Sequence, residues 1–306
     1  ANKKVLDTWI DSDGQSLTFR VDDTDAVYPI TVDPWYSTYG TDIQHTSTNS
    51  GCEYYSSLTG EQCADNDCNN TRFAERVSRM GDINGDGYED LFVTSDDWYI
   101  NVSGTTGRWG RSFIYYGSST GISTSYGWSN RGDSSDDYYG SGYVLDADFD
   151  GDGNIDLAVG AYSDDPSGSD SGAVFIYAGS SAGILSSSSK TINGSNSSDQ
   201  YGYYGRIDAG DFNGDGMDDL VIGVPEDDSL GSNVGKVVVH VGMASGYVNS
   251  SVATTLYGEN TEDRFGYRVT VGDFNGDGFD DLGVASPYND DNNTDSGKVY
   301  FYYGSS

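Results

Sequence analysis

The sequence predicts an all-β fold, a β-propeller whose four blades are four-stranded antiparallel sheets. An acidic nonapeptide, DINGDGYED at Asp82–Asp90, recurs three times, beginning at Asp148, Asp211 and Asp273, about 62 to 66 residues apart. Similar apolar segments flank every copy. The chain is also rich in Gly, Ser, Thr, Asn and Asp, which favours short strands and tight turns over helices. Repeated units of this size bury both sheet faces only when they stack around an axis.

Residues 1–36 precede the repeats and predict three strands, in VLDTWI, SLTFRVDD and AVYPITVDP, with Asp13-Gly14 in the first turn. Three strands hardly form a core of their own. We therefore divide the chain into an N-terminal β segment, residues 1–36, and a propeller domain, residues 37–306. The segment packs on the propeller, serves as a docking and assembly element, or is the remnant of a precursor domain.

Three cysteines, Cys52, Cys63 and Cys68, lie in a polar insertion ahead of the first repeat. A zinc site would need a fourth ligand, and the nearest histidine is His45. A local disulfide in an oxidising compartment is the preferred interpretation, with Cys63–Cys68 as the first choice. The third cysteine would then be buried or available to another chain.

Each repeat has the same anatomy. It opens with an aromatic and a small residue, at Phe73-Ala74, Tyr139-Gly140, Tyr201-Gly202 and Phe265-Gly266. A short strand leads into the acidic loop, and a second strand continues from Leu91, Leu157, Leu220 or Leu282. The third strand reads RSFIYYG, GAVFIYAG, GKVVVHVG or GKVYFYYG. A more polar fourth strand closes the first three repeats, at Ser125–Arg131, Ser187–Asn193 and Ser251–Tyr257.

The acidic loop has the composition of a site for a hard cation. Side-chain oxygens stand at positions 1, 3, 5 and 9, glycines stand at positions 4 and 6, and position 7 offers its backbone carbonyl. An EF-hand would need Glu at position 12, where this chain has Val93, Val159, Ile222 and Val284. We therefore predict four Ca²⁺ ions, with ligands Asp82, Asn84, Asp86, Tyr88 and Asp90; Asp148, Asp150, Asp152, Asn154 and Asp156; Asp211, Asn213, Asp215, Met217 and Asp219; and Asp273, Asn275, Asp277, Phe279 and Asp281.

The aromatic-Gly pair, the GDFNGDGxDD loop and the GKVY-type strand resemble FG-GAP repeats, the blades of integrin α-subunit propellers and of many bacterial surface proteins. The likeness covers about Gly51 to Ser306. It implies Ca²⁺ in each loop between the first and second strands, and an extracellular or cell-surface location. FG-GAP propellers usually have seven blades, whereas this chain encodes four, so the four are either closed or part of a larger assembly.

Composition narrows the partners. The formal charge is −34, from 49 acidic and 15 basic residues, so nucleic acid is not an expected partner. No segment approaches 18 consecutive apolar residues, so the sequence predicts no membrane-spanning helix. The favoured function is an extracellular structural or adhesive module. A glycan-binding lectin is the alternative, and an enzyme with an axial active site is less favoured.

The fourth repeat lacks a fourth strand, and Cys52–Thr59 is a candidate to supply it within the chain or to a neighbouring copy. Exposed strand edges pair with available strands. We therefore predict a homo-oligomer or filament, in which residues 1–36 contact a second subunit head to tail.

Several other motifs have less specific interpretations. Arg131-Gly132-Asp133 spells an integrin-recognised tripeptide but falls at a turn that every blade needs. His240 lies among strand valines, where packing is favoured over catalysis. Tyr138, Tyr203 and Tyr288 stand at loop positions from which they could stack on sugars. Six sequons give weak support for glycosylation, at Asn69, Asn101, Asn193, Asn196, Asn249 and Asn292.

Overall fold

The computed structural model describes residues 72–102 and 104–306, and the backbone of three short strands ahead of them, Thr8–Ser12, Leu17–Val21 and Glu61–Gln62. The chain forms two compact units, Ala1–Gly40 and Thr41–Ser306. All regular structure in the described residues is β-strand, and no helix there is long and apolar enough to cross a bilayer.

In the first unit, two strands pair as an antiparallel hairpin. They correspond to two of the three strands predicted for residues 1–36. The third predicted strand, the Asp13-Gly14 turn, His45, the three cysteines and Cys52–Thr59 lie outside the described residues.

The second unit contains four antiparallel sheets, which we call blades I to IV. In blades I to III the strands follow chain order across the sheet, so neighbours in sequence are neighbours in space. Blade I contains Arg76–Gly81, Asp90–Ser95, Arg111–Tyr115 and Trp128–Arg131. Blade II contains Tyr139–Ala147, Asp156–Ala161, Ala173–Tyr177 and Lys190–Asn193. Blade III contains Ile207–Gly210, Asp219–Val224, Lys236–His240 and Thr254–Tyr257.

Blade IV has three strands in the described residues, Arg268–Gly272, Asp281–Ser286 and Lys298–Tyr302. The predicted fourth strands of blades I to III are present but begin three residues later than expected. In each case the first three predicted residues, 125–127, 187–189 and 251–253, precede the strand.

Consecutive blades are joined by the aromatic residue at the start of each repeat. Tyr139, Tyr201 and Phe265 are almost completely buried. Each forms an isolated parallel β-bridge with the glycine just before the third strand of the preceding blade, at Gly110, Gly172 and Gly235. A Cβ on Gly172 would lie 2.3 Å from the backbone nitrogen of Tyr201. Only glycine allows this approach, so the aromatic-Gly pair and the GKVY-type strand together build the blade interface.

Two hairpins were not predicted. Tyr99–Val102 and Thr105–Arg108 form one between the second and third strands of blade I, and Glu61–Gln62 pairs with its outer edge. Gly242–Met243 and Tyr247–Val248 form the other, in blade III. Each occurs once in the described residues, so no second copy fixes its register.

Candidate metal centres

Each acidic nonapeptide forms the loop between the first and second strands of its blade, as predicted. In blade II the first strand ends at Ala147 and the second begins at Asp156, the ninth loop residue. The glycines at positions 4 and 6 have φ of 71° at Gly151 and 85° at Gly153. Side-chain-bearing residues rarely adopt such φ values, so these glycines permit the tight winding of the loop.

The aspartate at position 1 receives the backbone N–H groups of its own loop. In blade II, Asp148 Oδ1 accepts hydrogen bonds from Gly151 at 2.8 Å and Asp152 at 3.1 Å, and Oδ2 accepts one from Gly153 at 2.8 Å. Asp211 and Asp273 accept the same three bonds. The main chain therefore fixes this carboxylate before any ligand arrives.

Positions 3, 5 and 7 continue the same winding. The position-3 side chain accepts a bond from the position-5 N–H, and the position-5 carboxylate accepts one from the position-7 N–H, in all four loops. In blade II, carboxylate oxygens of Asp148, Asp150 and Asp156 lie within 4.8 Å of one another. The loop thus gathers oxygen atoms around one point, while the position-7 carbonyls stay predicted ligands.

The aspartate at position 9 has a second role that the sequence did not indicate. All four are nearly fully buried. Each accepts the N–H of the glycine after the third strand at 2.7–3.0 Å, at Gly117, Gly179, Gly242 and Gly304. A Cβ on Gly179 would lie 2.1 Å from the Ile155 carbonyl oxygen. Position 9 therefore ties the loop to the third strand, and its role as a ligand stays a prediction.

The electrostatics of the loops favour a cation. Burial raises the pKa of Asp156 to about 7, and the other aspartates of its loop add to the rise. Burial likewise raises the pKa of Asp219 to about 6, and it raises the pKa of Asp90 and Asp150. A neighbouring positive charge stabilises ionised carboxylates and reverses such shifts.

The donor set fits a hard divalent ion. The side chains offered at positions 1, 3, 5 and 9 are aspartates and asparagines, so every side-chain donor expected to face the ion is oxygen. Ca²⁺ takes six to eight oxygen ligands in flexible geometry and accepts backbone carbonyls and water among them. When bound, it would supply the positive charge that these carboxylates otherwise lack.

Adjacent loops are hydrogen-bonded to one another through position 8. In blade III this residue is Asp218, whose Oδ2 accepts the N–H of Asp148 at 2.7 Å. In blade IV it is Asp280, whose Oδ2 accepts the N–H of Asp211 at 3.0 Å. Both partners occupy position 1 of the preceding loop. The loops of blades II, III and IV thus form a connected series.

A separate acidic cavity lies between blades I and II, outside the loops. Asp133, Asp137 and Asp164 bring oxygens within 4.8 Å of one another beside a cavity of about 470 Å³. Asp137 is only 3% exposed, and burial raises its pKa to about 7. Burial also raises the pKa of Asp164 to about 6. An aspartate recurs two residues before the aromatic residue of three repeats, at Asp137, Asp199 and Asp263. This repetition could have indicated from the sequence that the position has a defined role.

The equivalent place in blade III contains a cation from the chain itself. Lys236 Nζ lies 2.7 Å from Asp227 Oδ1 and 3.8 Å from Asp199 Oδ1. In blade II the residue aligned with Lys236 is Ala173. The acidic groups of blade II therefore lack the ammonium group that compensates those of blade III.

Arginine and tyrosine side chains cluster at the start of the first strands, the ends opposite the acidic loops. Rings of Tyr138 and Tyr203 each pack near Tyr162, with centroid distances of 5.1 and 5.0 Å. Tyr288 lies 6.1 Å from Tyr267. All three tyrosines predicted as sugar-stacking candidates therefore belong to this cluster. Its arginines were missed, because they meet the rings only through the packing of different blades.

The remaining sequence motifs have structural surroundings. Arg131 Cζ lies 4.8 Å from the Trp109 ring centroid, and Gly132 N–H donates to the Trp109 carbonyl. His240 is buried, with Nδ1 2.9 Å from the Asn249 carbonyl oxygen. The contacts of Arg131 and Gly132 agree with the predicted turn, and those of His240 agree with packing in a strand.

Known proteins share the repeat. The FG-GAP repeat family matches residues 265–302, and an FG-GAP-like repeat family matches residues 148–222. Integrin alpha-PS2 of Drosophila melanogaster is 32% identical over 178 residues, covering 56% of this chain and 12% of that protein. Phosphatidylinositol-glycan-specific phospholipase D of Mus musculus is 32% identical over 174 residues, covering 53% of this chain and 20% of that protein. Residues 148–222 and 265–302 are therefore FG-GAP-type repeats, and the chain is similar to integrin α subunits over part of its length.

The alignments span a fifth or less of these two relatives. Among solved structures, the rhamnogalacturonan lyase YesW superposes with a TM-score of 0.39 at 16% identity, covering 75% of this chain and 43% of that one.

Proposed function

We propose that this protein is an extracellular, calcium-stabilised FG-GAP module with a structural or adhesive, non-catalytic role. The observation that carries the proposal is the repeated preorganisation of the four loops, in which backbone N–H groups hold the position-1 carboxylate. The similarity to integrin α subunits supports a surface location. Extracellular calcium is abundant enough to fill sites of modest affinity.

Calcium binding is tested by changing one ligand side chain in one loop at a time. Asp152→Asn should weaken the blade II site and lower the free energy of unfolding in calcium by about 1–3 kcal/mol, because an ion bound only to the folded state stabilises it by mass action. Thermal melts with and without chelator, together with calorimetric titration of Ca²⁺, measure the effect.

The control is Asp295→Asn, which removes an equal charge from an exposed turn outside the loops. It should leave both the melt and the calcium stoichiometry unchanged. A chelator-insensitive melt of the wild type, with no calcium detected by elemental analysis, would rule the proposal out.

We further propose that copies associate head to tail through residues 1–36, giving rings or filaments. Support comes from blade IV, where Lys298–Tyr302 has no strand paired along its outer edge in the described residues. A heterologous contact of this kind propagates from copy to copy.

Glycan binding is the second candidate function. Its support is the cluster of tyrosines and arginines at the ends of the blades opposite the acidic loops. Aromatic side chains with a few placed polar groups are typical of small-molecule sites. A glycan array probed with the calcium-loaded protein tests it, and the absence of any bound glycan would remove it.

A further inference from the structure

Three blades contribute to one surface around Tyr204, which we call the arginine–tyrosine face. It consists of Arg76, Tyr143, Tyr204, Tyr267 and Arg268. The Cζ atom of Arg76 lies 4.8 Å from the Tyr204 ring centroid, and that of Arg268 lies 5.9 Å from it. The ring centroid of Tyr143 lies 6.4 Å from that of Tyr204. Blades I, II and IV therefore converge on a tyrosine of the turn before the first strand of blade III.

The arginines of this region differ in how their charge is compensated. Arg76 forms an ion pair with Asp96 at 3.0 Å, and buried Arg206 pairs with Glu226 at 2.9 Å. In the part of the chain that the structure describes, Arg268 forms no ion pair. Its Nη1 donates instead to the Tyr267 carbonyl at 2.9 Å, and its guanidinium lies 5.1 Å from the Tyr267 ring centroid.

An uncompensated arginine is notable in a chain of formal charge −34, because carboxylates are abundant. Stacking on aromatic rings holds the guanidinium plane in place while leaving other N–H donors available. A guanidinium held this way is preorganised for bidentate binding of a carboxylate. Arg268 is half-buried, so an anion bound there would be partly shielded from water.

Tyr204 supplies the second element of recognition. Its side chain is 45% exposed beside Arg268. An exposed ring offers an apolar face against which the C–H groups of a sugar ring pack, while the adjacent cation takes an acidic substituent.

We propose that the arginine–tyrosine face binds a hexuronate unit of an acidic glycan, with its carboxylate on Arg268 and its sugar ring on Tyr204. The inference deepens the second candidate function and is independent of calcium-dependent stability and of assembly. Phosphate and sulfate groups would satisfy the charge of Arg268, but the exposed ring beside it favours a ligand whose anion is attached to a sugar.

The test uses the calcium-loaded 306-residue chain and two probes, a galacturonate trisaccharide and its methyl ester. Short oligomers avoid the gelling of long polyuronates by Ca²⁺. Calorimetry should detect binding of the acid and at least about tenfold weaker binding of the uncharged ester, which lacks the charge-assisted hydrogen bonds.

Variants locate the site. Arg268→Gln and Tyr204→Ala should each weaken binding of the acid about tenfold or more, and Arg268→Lys should restore only part of the affinity, because an ammonium is not bidentate. Arg79→Gln and Tyr257→Ala are matched controls. Arg79 is exposed and pairs with Glu89 at 2.8 Å, and Tyr257 is exposed on the fourth strand of blade III. Both controls should bind as the wild type does, and unchanged melts exclude misfolding.

Equal affinity for acid and ester, or wild-type affinity in Arg268→Gln, would overturn the assignment. Binding of neutral glycans alone would remove the uronate specificity but leave glycan binding in place. Failure to bind any glycan would remove the second candidate function and this inference together.

Discussion

Asp137 lies in the turn between blades I and II, where an aspartate would ordinarily be exposed. Its Oδ2 accepts the Ser134 N–H at 2.6 Å, yet the side chain is almost entirely buried beside two other carboxyl groups. Burial is the largest cause of its raised pKa, and the negative charges of Asp164 and Asp133 add to it. In blade III, Lys236 offsets the comparable cost.

This environment predicts a pH dependence of stability. Because the folded-state pKa of Asp137 is about 7, against an ordinary 3.8, its favourable contribution is complete below about pH 4 and is lost as pH rises through 7. Asp137→Asn keeps an acceptor for Ser134 without the charge. Its free energy of unfolding should exceed that of the wild type by about 2 kcal/mol at pH 8 and match it at pH 4.

Denaturant titrations across that pH range, at constant calcium, measure the difference. Asp165→Asn, at the exposed rim of the same cavity, is the control and should give a difference that does not grow with pH. A variant less stable than the wild type at pH 8 would contradict the prediction and indicate that a cation occupies the cavity.

At the scale of the element, the acidic loop is a connector as well as a binding loop. Position 9 joins it to the third strand of its own blade, and position 8 joins it to the preceding loop in blades III and IV. In blade II position 8 is Ile155, and in blade I it is Glu89, which pairs with Arg79. The inter-loop bonds therefore begin between blades II and III.

This connection predicts that Asp218 affects calcium binding in a loop to which it does not belong. Asp218→Ala should weaken the blade II site about fivefold, because one hydrogen bond worth about 1 kcal/mol no longer holds the Asp148 backbone. Calcium calorimetry of a double-mutant cycle with Asp152→Asn measures the effect. The change caused by Asp218→Ala should disappear once the blade II loop is disabled.

Glu89→Ala is the matched control, because Glu89 occupies position 8 without a bond to a preceding loop. Additive effects of Asp218→Ala and Asp152→Asn on calcium affinity would disprove the coupling.

Elements repeated in register were predictable, whereas contacts between blades were not. The loops and the second and third strands could be placed because four copies constrain one alignment. The Tyr99–Arg108 hairpin has no second copy, so its residues offered only a short ambiguous pattern. The stacking of Arg268 on Tyr204 depends on how separate blades are packed, and local sequence does not contain that distance. The hydrogen bond between the position-9 aspartate and the third strand could not be predicted, because an aspartate at this position has the same spacing whether it binds a metal or supports the loop.

At the scale of the propeller unit, Thr41–Ser306, the two terminal blades have different outer faces. In blade I the apolar face is covered on the second and third strands, where Trp98, Ile100 and Trp109 pack in one cluster with Val93 and Phe113, whereas Val77 of the first strand is 58% exposed. Blade IV has no such cover in the described residues. Val299 is 59% exposed and Phe301 55%.

The positions aligned with Val299 and Phe301 are covered in the inner blades. Val174 and Ile176 of blade II and Val237 of blade III are fully buried, and Val239 of blade III is partly buried. They lie in clusters that include residues of the following blade. Blade IV therefore presents the surface that blades II and III bury at their interfaces with the following blade. Covering each large apolar side chain stabilises an interface by about 1.5–3 kcal/mol, and the unpaired edge of Lys298–Tyr302 adds main-chain hydrogen bonds for an incoming strand.

We therefore expect the outer face of blade IV to receive residues 1–36 of a second copy, and Phe301→Asp to abolish association by placing an unpaired charge in that contact. Light scattering at high protein concentration with calcium present should give a mass above one chain for the wild type and for Leu230→Asp, a control that charges an exposed loop elsewhere. Phe301→Asp and deletion of residues 1–36 should both give monomers. If only the deletion does so, residues 1–36 bind another surface, and if the wild type is already monomeric, the assembly proposal is wrong.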